Sequence, residues 1–172
     1  GLRNQGVEFE VDVQLVNSDD FKLSLNVLGA FESNEITSMP IDPATGEPKL
    51  FDPSGVYGLA KGHSSFEYYM REWAGVNPDT GYAQWYRNFD DKNANGTFDS
   101  GEFIEDLHEY KILNPDATIL EDTTETYTGA TKRFTDKVAI PDLAGSFTIN
   151  AEYKGFDMLA IFTYGIGGYA YD

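Results

Sequence analysis

The sequence predicts an all-β fold, namely a segment of an antiparallel transmembrane β-barrel with long extracellular loops. Three observations support this fold class. Apolar and polar residues alternate at both ends of the chain, the predicted strands are longer than most strands of soluble proteins, and tight turns alternate with long polar connections. Since a soluble sheet also alternates, the strand lengths and the unequal connections are what favour a membrane protein.

The first element is a β-hairpin near the start of the chain. Over 7–15 and 21–27 odd-numbered residues are apolar and even-numbered residues are polar, and the turn formers at 17–20 join the two halves. This pattern predicts strands over 6–16 and 21–33. Their apolar face is expected to meet lipid, and the acidic, even-numbered face of 8–14 is expected to line the interior of the barrel.

A second hairpin closes the chain and repeats this design. Apolar and polar residues alternate over 147–153, Lys-Gly at 154–155 supplies a two-residue turn, and the even-numbered residues of 156–166 are apolar. Leu159 and Ile161 place two apolar side chains on the opposite face of the last strand. That strand is predicted to run for about 15 residues, against about 5–6 in a typical soluble protein.

The middle of the chain has weaker patterns. Two long polar connections, over 34–62 and 89–118, are predicted to be extracellular loops within one partial barrel that covers residues 1–172. Further elements are predicted beside these loops: strands over 56–74 and 82–89, a Thr-rich, partly extended segment over 119–139, and a short helix over 103–113.

Composition excludes several classes of function. The 172 residues carry a formal net charge of -17, which repels nucleic-acid phosphates. Cysteine is absent, so disulfides, thiol nucleophiles and cysteine-ligated metals are excluded. No apolar run reaches the length of about 18 residues that a transmembrane helix needs. Aromatic residues make up 15% of the chain, a content typical of carbohydrate binders and of barrels with aromatic girdles.

Nothing in the sequence indicates an enzyme. Acidic residues are too numerous to single out a catalytic pair, and Ser64 and Ser65 lack the surroundings of an activated nucleophile. His63 and His108 have no companion at ligand spacing and are expected to be surface or loop residues. The predicted function is therefore not enzymatic.

Residues 91–102 match the twelve-residue calcium loop of EF-hand proteins at every ligand position. Such a loop takes oxygen ligands from short side chains at positions 1, 3, 5 and 9, a backbone carbonyl at position 7 and a bidentate glutamate at position 12. Gly96 stands where the loop must turn sharply. The candidate calcium ligands are Asp91, Asn93, Asn95, Thr97, Asp99 and Glu102.

The same loop has an alternative interpretation. Segments rich in Asn, Asp and Gly often form solvated loops without metal. The residues before it, 82–89, are predicted to be a strand and not the entering helix of an EF-hand. With Asn at two ligand positions the loop carries less negative charge, so any calcium affinity is expected to be modest, as in extracellular modules.

Short segments along the whole chain carry a further signal. They include Ala-Gly-Val-Asn-Pro-Asp-Thr-Gly at 74–81 and Tyr-Lys-Gly-Phe-Asp at 153–157. The full set is 3–8, 33–36, 68–70, 74–81, 139–147, 153–157, 162–168 and 171–172. In this order they resemble the late barrel region of the SusC-like family of TonB-dependent outer-membrane transporters. The resemblance rests on the segments together, since none is specific alone.

The resemblance implies the architecture and partners of such a transporter. It implies a 22-stranded barrel with an N-terminal plug, located in the outer membrane of a Gram-negative bacterium. It also implies uptake of oligosaccharides or peptides, energised by a TonB complex and assisted by a SusD-like surface lipoprotein. The chain has no plug-like or TonB-box-like segment and too few predicted strands to close a wide barrel. An internal piece of the C-terminal third is therefore expected.

Four aromatic residues flank the turn formers at 77–81, namely Trp73, Tyr82, Trp85 and Tyr86. Their side chains could stack on a sugar or contact the capping lipoprotein. The alternative is girdle or inter-strand packing, which is the common role of such residues in barrels.

Two functions stay open from the sequence. The first is part of a nutrient importer in the outer membrane, with the plug and the rest of the barrel completing the transporter. The second is a soluble, calcium-stabilised β-sandwich that binds carbohydrate. The sandwich predicts that the isolated chain stays folded and monodisperse without detergent, and the importer section predicts that it does not.

Overall fold

The computed structural model describes residues 1–51 and 55–172 and consists mainly of antiparallel strands. The strands are β1 (Leu2–Asn17), β2 (Phe21–Ile36), β3 (Glu67–Arg71), β4 (Trp73–Val76), β5 (Ala83–Asp90), β6 (Phe103–Ile104), β7 (Ile119–Thr124), β8 (Lys132–Val138), β9 (Leu143–Tyr153) and β10 (Phe156–Ile166). Helix α1 covers Leu107–Leu113, and a 3-10 turn covers Tyr127–Gly129. No helix among the described residues is long and apolar enough to cross a membrane.

The chain divides into two compact units. The sheet unit contains Leu2–Glu35 and Val138–Asp172, and the insert unit contains Gly1 and Ile36–Lys137. In sequence, the insert unit therefore separates the second and third strands of the sheet unit. Residues 52–54, which fall within the predicted loop 34–62, lie outside the described part of the chain.

The sheet unit is one four-stranded sheet in the order β1-β2-β9-β10. Both predicted hairpins are present, and β2 and β9 join them as antiparallel neighbours with Phe21 opposite Tyr153. The strands of the first hairpin are 16 residues long. β10 has 11 residues and is shorter than predicted. It ends before Gly167 and Gly168, whose φ angles of 74° and 75° do not continue a strand.

The pairing register separates apolar from polar side chains. Residues paired directly across antiparallel strands share a face, so Phe147 lies beside Val27 and Phe162. The rings of Phe147 and Phe162 stack with their centroids 4.7 Å apart. The other apolar residues that the register places on this face are Phe21, Leu23, Leu25, Phe31, Leu143, Ile149, Ala151, Tyr153, Phe156, Met158, Ala160, Tyr164 and Ile166.

A row of aromatic and glycine residues crosses the same face. Gly29 is paired with Gly145, and Gly145 is paired with Tyr164. The Tyr164 hydroxyl donates to the Leu28 carbonyl at 2.8 Å, so its ring lies over Gly145. Phe9 of β1 lies over Gly29 from the other side. Two glycines of the inner strands are thus covered by aromatic side chains of the outer strands, and β1 presents its odd-numbered residues to this face.

The opposite face of the sheet is polar. Asn26 of β2 donates to Glu10 Oε1 at 2.9 Å and to Asp12 Oδ1 at 2.7 Å. Lys22 of β2 forms an ion pair with Glu152 of β9 at 3.1 Å. The predicted acidic face of the first hairpin is therefore one half of a polar surface that extends across the inner strands.

Strands β1 and β10 form the edges of the sheet. Every residue of β1 is exposed, and no described strand pairs with its outer edge or with that of β10. Leu159 and Ile161 of β10 are exposed apolar residues on the polar face, as their alternation predicts. The four strands form an open sheet, and they do not close into a barrel.

The insert unit contains the remaining strands. β3 pairs with β8, and β5 pairs with β4, β6 and β7. Tyr69, Phe89, Ile104 and Ala130 are its most deeply buried apolar residues. Fully buried Thr131 connects these strands, because its hydroxyl donates to the Ile104 carbonyl at 2.7 Å and accepts from the Asn88 N–H at 2.7 Å.

The middle elements differ from their predicted extents. The predicted strand over 56–74 contains only β3 and β4, and the segment 119–139 is divided by the 3-10 turn into β7 and β8. The predicted helix over 103–113 begins with the two-residue strand β6, and α1 starts after Asp106, whose carboxylate accepts from the Glu109 N–H at 3.0 Å. These strands pair among themselves and do not extend the four-stranded sheet.

Candidate functional site

The candidate calcium loop connects two paired strands. β5 and β6 are antiparallel, with Phe89 opposite Phe103, and the loop 91–102 joins them. The Asp90 N–H donates to the Glu102 carbonyl at 3.0 Å, which closes the base of the loop. The first and last candidate ligands, Asp91 and Glu102, are both buried. The loop is therefore held by a strand pair and not by the two helices of an EF-hand.

The two terminal carboxylates point into the loop. Asp91 Oδ1 accepts from the Asn95 N–H at 3.0 Å, and Oδ2 accepts from the Gly96 N–H at 3.0 Å. Glu102 Oε1 accepts from the Lys92 N–H at 3.2 Å, and Oε2 accepts from the Asp99 N–H at 3.0 Å. Gly96 has a φ of 75°, the left-handed conformation that the sharp turn requires and that glycine adopts without strain.

The central side chains form a second set of hydrogen bonds. The amide groups of Asn93 and Asn95 both donate to Asp99 Oδ2, at 2.8 and 2.7 Å. Asn95 Oδ1 accepts from the backbone N–H of Thr97 at 2.8 Å. The six predicted ligand residues thus belong to one hydrogen-bonded loop. Among residues 1–51 and 55–172, however, no group of three or more His, Cys, Asp or Glu side chains is placed to hold a metal ion.

The apolar face of the sheet unit is exposed to a degree that is unusual for a water-soluble surface. Val7 is 65% exposed and Phe156 is 78% exposed. Contiguous apolar patches of more than a few hundred Å² are rare on soluble monomers and mark contacts with protein or membrane. This face is therefore a candidate contact surface as well as a structural element.

The four aromatic residues near 77–81 differ in their packing and exposure. Trp73 and Trp85 are paired across β4 and β5, and Trp85 packs edge-to-face on Tyr127 with centroids 5.7 Å apart. Tyr86 lies under the Arg133 guanidinium, 4.7 Å from its ring centroid. Tyr82 is exposed, as is Trp73. Packing thus accounts for Trp85 and Tyr86, and it leaves Trp73 and Tyr82 open to solvent.

The histidines lie closer together than their sequence positions suggest. His63 stacks on Phe134 with centroids 3.7 Å apart, and the His63 and His108 rings lie 5.8 Å apart. His63 Nδ1 is 2.9 Å from Glu67 Oε2. Burial, followed by the charge of His63, lowers the pKa of His108. Both rings are half-buried in the insert unit, which differs from the expectation of simple surface or loop residues.

Sequence reasoning missed an ion-pair network in the insert unit. Glu72 accepts from Arg133 Nη2 at 2.6 Å and from Lys137 Nζ at 2.6 Å, and Arg133 also pairs with Glu121. Burial alone would raise the pKa of Glu72, but the hydrogen bonds from Lys137 and Arg133 outweigh it and the pKa is lowered. Nothing in the local spacing signals this network, because its members come from strands that are distant in sequence.

Comparisons with known proteins give structural matches only. No protein-family model matches the chain, and no curated protein matches it. Solved structures that are similar include three of one transport system. They are the RagAB peptide transporter at 22% identity with a TM-score of 0.66, the RagAB peptide importer in its closed-closed state at 21% and 0.65, and the same importer in its open-open state at 20% and 0.66.

The extent of these matches is asymmetric. They cover 96%, 97% and 97% of this chain, but only 15% of each matched chain. The chain therefore spans a small part of the length of the proteins it resembles. At this identity the similarity concerns the fold alone. Because the matches cover 96% or more of this chain, the similar region contains both the long strands and the residues between them.

Proposed function

We propose that this chain is a section of an outer-membrane nutrient importer of the SusC-like kind, in a Gram-negative bacterium. The observation that carries the proposal is the four-stranded sheet, in which register places apolar side chains on one exposed face and mostly polar side chains on the other, with Leu28, Leu159 and Ile161 as apolar exceptions. The apolar face would meet lipid, and the polar face would line the barrel interior. The role of the section is transport, and we expect no enzymatic activity.

The dimensions of the apolar face support this assignment. On β2 it extends from Phe21 to Phe31, which at about 3.3 Å per residue is about 33 Å along the strand. A strand tilt of about 45° reduces this to about 23 Å, close to the apolar band of about 25 Å in outer-membrane barrels. An aromatic row of Phe21, Tyr153 and Phe156 stands at the turn end, where a girdle would contact the membrane interface.

The connections indicate an orientation. Tight turns close both hairpins of the sheet unit at one end, and the insert unit leaves from the other end of β2 and β9. In outer-membrane barrels the short turns are periplasmic and the long connections are extracellular. The insert unit would then lie outside the cell, where a SusD-like lipoprotein could contact exposed Trp73 and Tyr82. The remaining strands, the plug and the TonB complex would complete the machinery.

The structural matches add support from a different source. The matched structures are those of a peptide transporter and a peptide importer. The resemblance of the sequence segments points to nutrient uptake independently of those matches. Oligosaccharides and peptides are both compatible with the proposal, which concerns the class of transporter.

Single-cysteine labelling tests the proposed membrane orientation. The chain has no cysteine, so each introduced thiol is the single labelling site within it, and any cysteine elsewhere in the transporter is first replaced by serine. Cysteines at Val11 and Val13 should carry spin labels that collide with oxygen dissolved in lipid, whereas labels at Glu10 and Asp12 should collide with a water-soluble nickel complex. The measurement requires the complete transporter in vesicles. Equal accessibility at odd and even positions would contradict the proposal.

We also propose that the loop 91–102 binds Ca²⁺. The supporting observation is that Asp91 and Glu102 are buried and turned into the loop. The amide N–H groups on Asp99 would give way to the ion, and an amide oxygen has a second lone pair that can bind metal while the first keeps its loop hydrogen bond. Calcium would act there as a structural ion that holds the β5–β6 connection.

The alternative is a soluble, calcium-stabilised β-sandwich that binds carbohydrate. Exposed Trp73 and Tyr82 are the observations that favour it, since aromatic rings stack on sugars. The sheet unit, however, consists of one sheet and contains no second sheet of its own to cover the apolar face. A sandwich needs two such layers, so we place the importer first.

A further inference from the structure

The loop 91–102 contains the single Asn-Gly dipeptide of the chain, Asn95-Gly96. Both residues are exposed, so water reaches them. An asparagine before glycine is especially prone to lose its side-chain amide, because glycine has no Cβ atom to hinder the approach of its backbone nitrogen. Asn93 lies in the same loop but precedes alanine, so it offers an internal comparison.

Deamidation of this dipeptide is a reaction between two neighbouring groups and water. The Gly96 backbone nitrogen loses its proton and forms a bond to Cγ of Asn95. The bond from Cγ to Nδ2 then breaks, and Nδ2 leaves as ammonia with the proton that the nitrogen lost. Water adds to one of the two carbonyl groups of the resulting succinimide ring, which opens to aspartate or isoaspartate. No other reactant is required.

The closed loop restrains the attacking nitrogen. The Gly96 N–H donates to Asp91 Oδ2 at 3.0 Å, and Asp91 is only 8% exposed. The other oxygen of the same carboxylate accepts from the Asn95 N–H at 3.0 Å, which fixes the carboxylate against the dipeptide. A deprotonated nitrogen at Gly96 would carry negative charge beside the Asp91 carboxylate, where little water screens the repulsion. Loss of this proton is therefore disfavoured while the contact lasts.

The group under attack, by contrast, is polarised. Asn95 Oδ1 accepts from the backbone N–H and from the hydroxyl of Thr97, each at 2.8 Å. Donors on a carbonyl oxygen stabilise the negative charge that develops when a nucleophile adds. Asn95 Nδ2 donates to Asp99 Oδ2 at 2.7 Å. The loop thus prepares the carbonyl group and withholds the nitrogen, so release of the Gly96 N–H is the step that limits the reaction.

We propose that Asn95 is a conditional deamidation site, protected while Asp91 holds the Gly96 N–H and released when that contact opens. Conversion to aspartate would add a carboxylate at the fifth position of the loop, and isoaspartate would lengthen its backbone by one carbon. The effect of the added charge on calcium affinity rests on the proposed calcium site. The protection itself needs no metal and is independent of the importer function.

Peptide-mapping mass spectrometry of the detergent-solubilised full chain tests the proposal. The chain is aged with a chelator at mildly alkaline pH and digested in acid, where deamidation is slow. A capped peptide with the sequence of 90–103 is the unfolded reference. Asn95 should deamidate at least about tenfold more slowly in the folded chain, the factor that corresponds to one hydrogen bond to a charged group. Asn93 should react slowly in both samples.

Substitutions then identify the protecting contact. Asp91→Ala frees the attacking nitrogen and should raise the rate at least about fivefold, the equivalent of one hydrogen bond. Asp99→Ala loosens the same loop but leaves that nitrogen bound, so it should raise the rate less. Asp42→Ala removes a carboxylate that accepts the Ala44 N–H at 2.9 Å in another loop, and it should have no effect. Circular dichroism confirms that each variant is folded.

Two results would overturn the proposal. One is an equal rate at Asn95 in the native chain and in the peptide, which can be read even if the variants do not fold. The other is a folded Asp91→Ala chain that reacts no faster than the native chain or than Asp99→Ala, since the contact with Gly96 would then not limit the reaction. Because every rate is measured without metal, a loop that fails to bind calcium leaves this test unaffected.

Discussion

Gly145 is a residue at which the four-stranded sheet has no room for a side chain. A Cβ atom there would lie 2.1 Å from the Leu28 carbonyl oxygen and 2.7 Å from the Tyr164 hydroxyl. The first of these atoms belongs to the backbone of the neighbouring strand and cannot rotate away. Glycine is thus required here by close approach and not by an unusual backbone conformation.

Gly145→Ala should therefore destabilise the sheet unit. We expect a loss of about 1–3 kcal/mol, the usual cost of overpacking, because β2 and β9 must move apart. Thermal unfolding in detergent measures the change. Gly165→Ala is the matched control, since its Cβ would meet only Pro141 at 3.5 Å, an ordinary contact. Equal effects of the two variants would show that the close approach at Gly145 is not limiting.

Glu72 is the residue whose ionisation contributes most clearly to stability. Its side chain is 14% exposed and pairs with both Arg133 and Lys137. The pKa of Glu72 is lowered from its ordinary value of 4.5 in the folded chain. A lowered carboxyl pKa stabilises the fold above pH 4.5, and this contribution is lost as the pH falls through the folded pKa.

Glu72→Gln should reduce the stability of the insert unit at pH 7 and weaken its dependence on acidic pH. We expect a cost of about 1–3 kcal/mol at pH 7, because Arg133 loses a charged hydrogen-bond partner. Urea unfolding at pH 7 and at pH 3.5 measures both effects. Exposed Glu47, changed to Gln, serves as the control. A Glu72→Gln chain with unchanged acid sensitivity would disprove this role.

At the level of single elements, β2 shows how one strand meets two environments. Leu25 lies opposite Ile149, near the middle of the apolar face, and the adjacent Ser24 lies opposite Asn150 on the polar face. Under the proposed function the first side chain points to lipid at the midplane and the second to the barrel interior. Because the two residues are adjacent in β2, they differ in the face they occupy and hardly in their depth along the strand.

Leu25→Lys and Ser24→Lys should therefore differ sharply. A lysine facing lipid at the bilayer midplane costs about 2–4 kcal/mol, whereas one facing the interior costs little. Reversible unfolding from lipid vesicles gives the free energies of the complete transporter carrying each change. If Ser24→Lys were as costly as Leu25→Lys, the assignment of the lipid-facing side would be wrong.

The loop 91–102 is an element whose conformation depends on few residues. Its hydrogen bonds lie between Asp91 and Glu102, and only the base of the loop is fixed by β5 and β6. This locality explains why the motif could be found in the sequence. Its occupancy by calcium stays a prediction, under which the amides of Asn93 and Asn95 that donate to Asp99 would give way to the ion.

Calcium titration followed by terbium luminescence tests the loop. Glu102→Gln should weaken binding at least about tenfold, because the bidentate carboxylate is lost, and Asn95→Asp should strengthen it by adding charge. Asp79→Asn, in the turn between β4 and β5, is the control and should bind as the native chain does. Binding that is unaffected by Glu102→Gln would exclude the loop as the site.

For the molecule as a whole, the open sheet bears on whether the chain is stable in water. No described strand pairs with the outer edges of β1 and β10, and the apolar face of the sheet unit is exposed. Free edges and exposed apolar faces promote aggregation in water. The isolated chain is therefore expected to need detergent to remain monodisperse, as light scattering would show. A folded, monodisperse chain in plain buffer would favour the sandwich alternative.

Much of the sheet unit was predictable because its signal is local. Strand side chains alternate with a period of two, so both hairpins, their turns and their two faces could be derived from consecutive residues. The loop 91–102 is local in the same sense, and its calcium ligands stay a prediction. The middle strands were predicted poorly, because a stretch such as 56–74 mixes turn formers with apolar residues and its pairing partners are remote.

Local preferences thus established from the sequence which residues form the two long hairpins and which of their side chains are apolar. The tertiary structure was needed to show that β2 pairs with β9 and that β3 to β8 form a unit of their own. The physical reason is the separation along the chain of the residues that interact. Alternation and turn formation involve neighbouring residues, whereas strand pairing across the insert unit depends on the packing and hydrogen bonding of the whole chain.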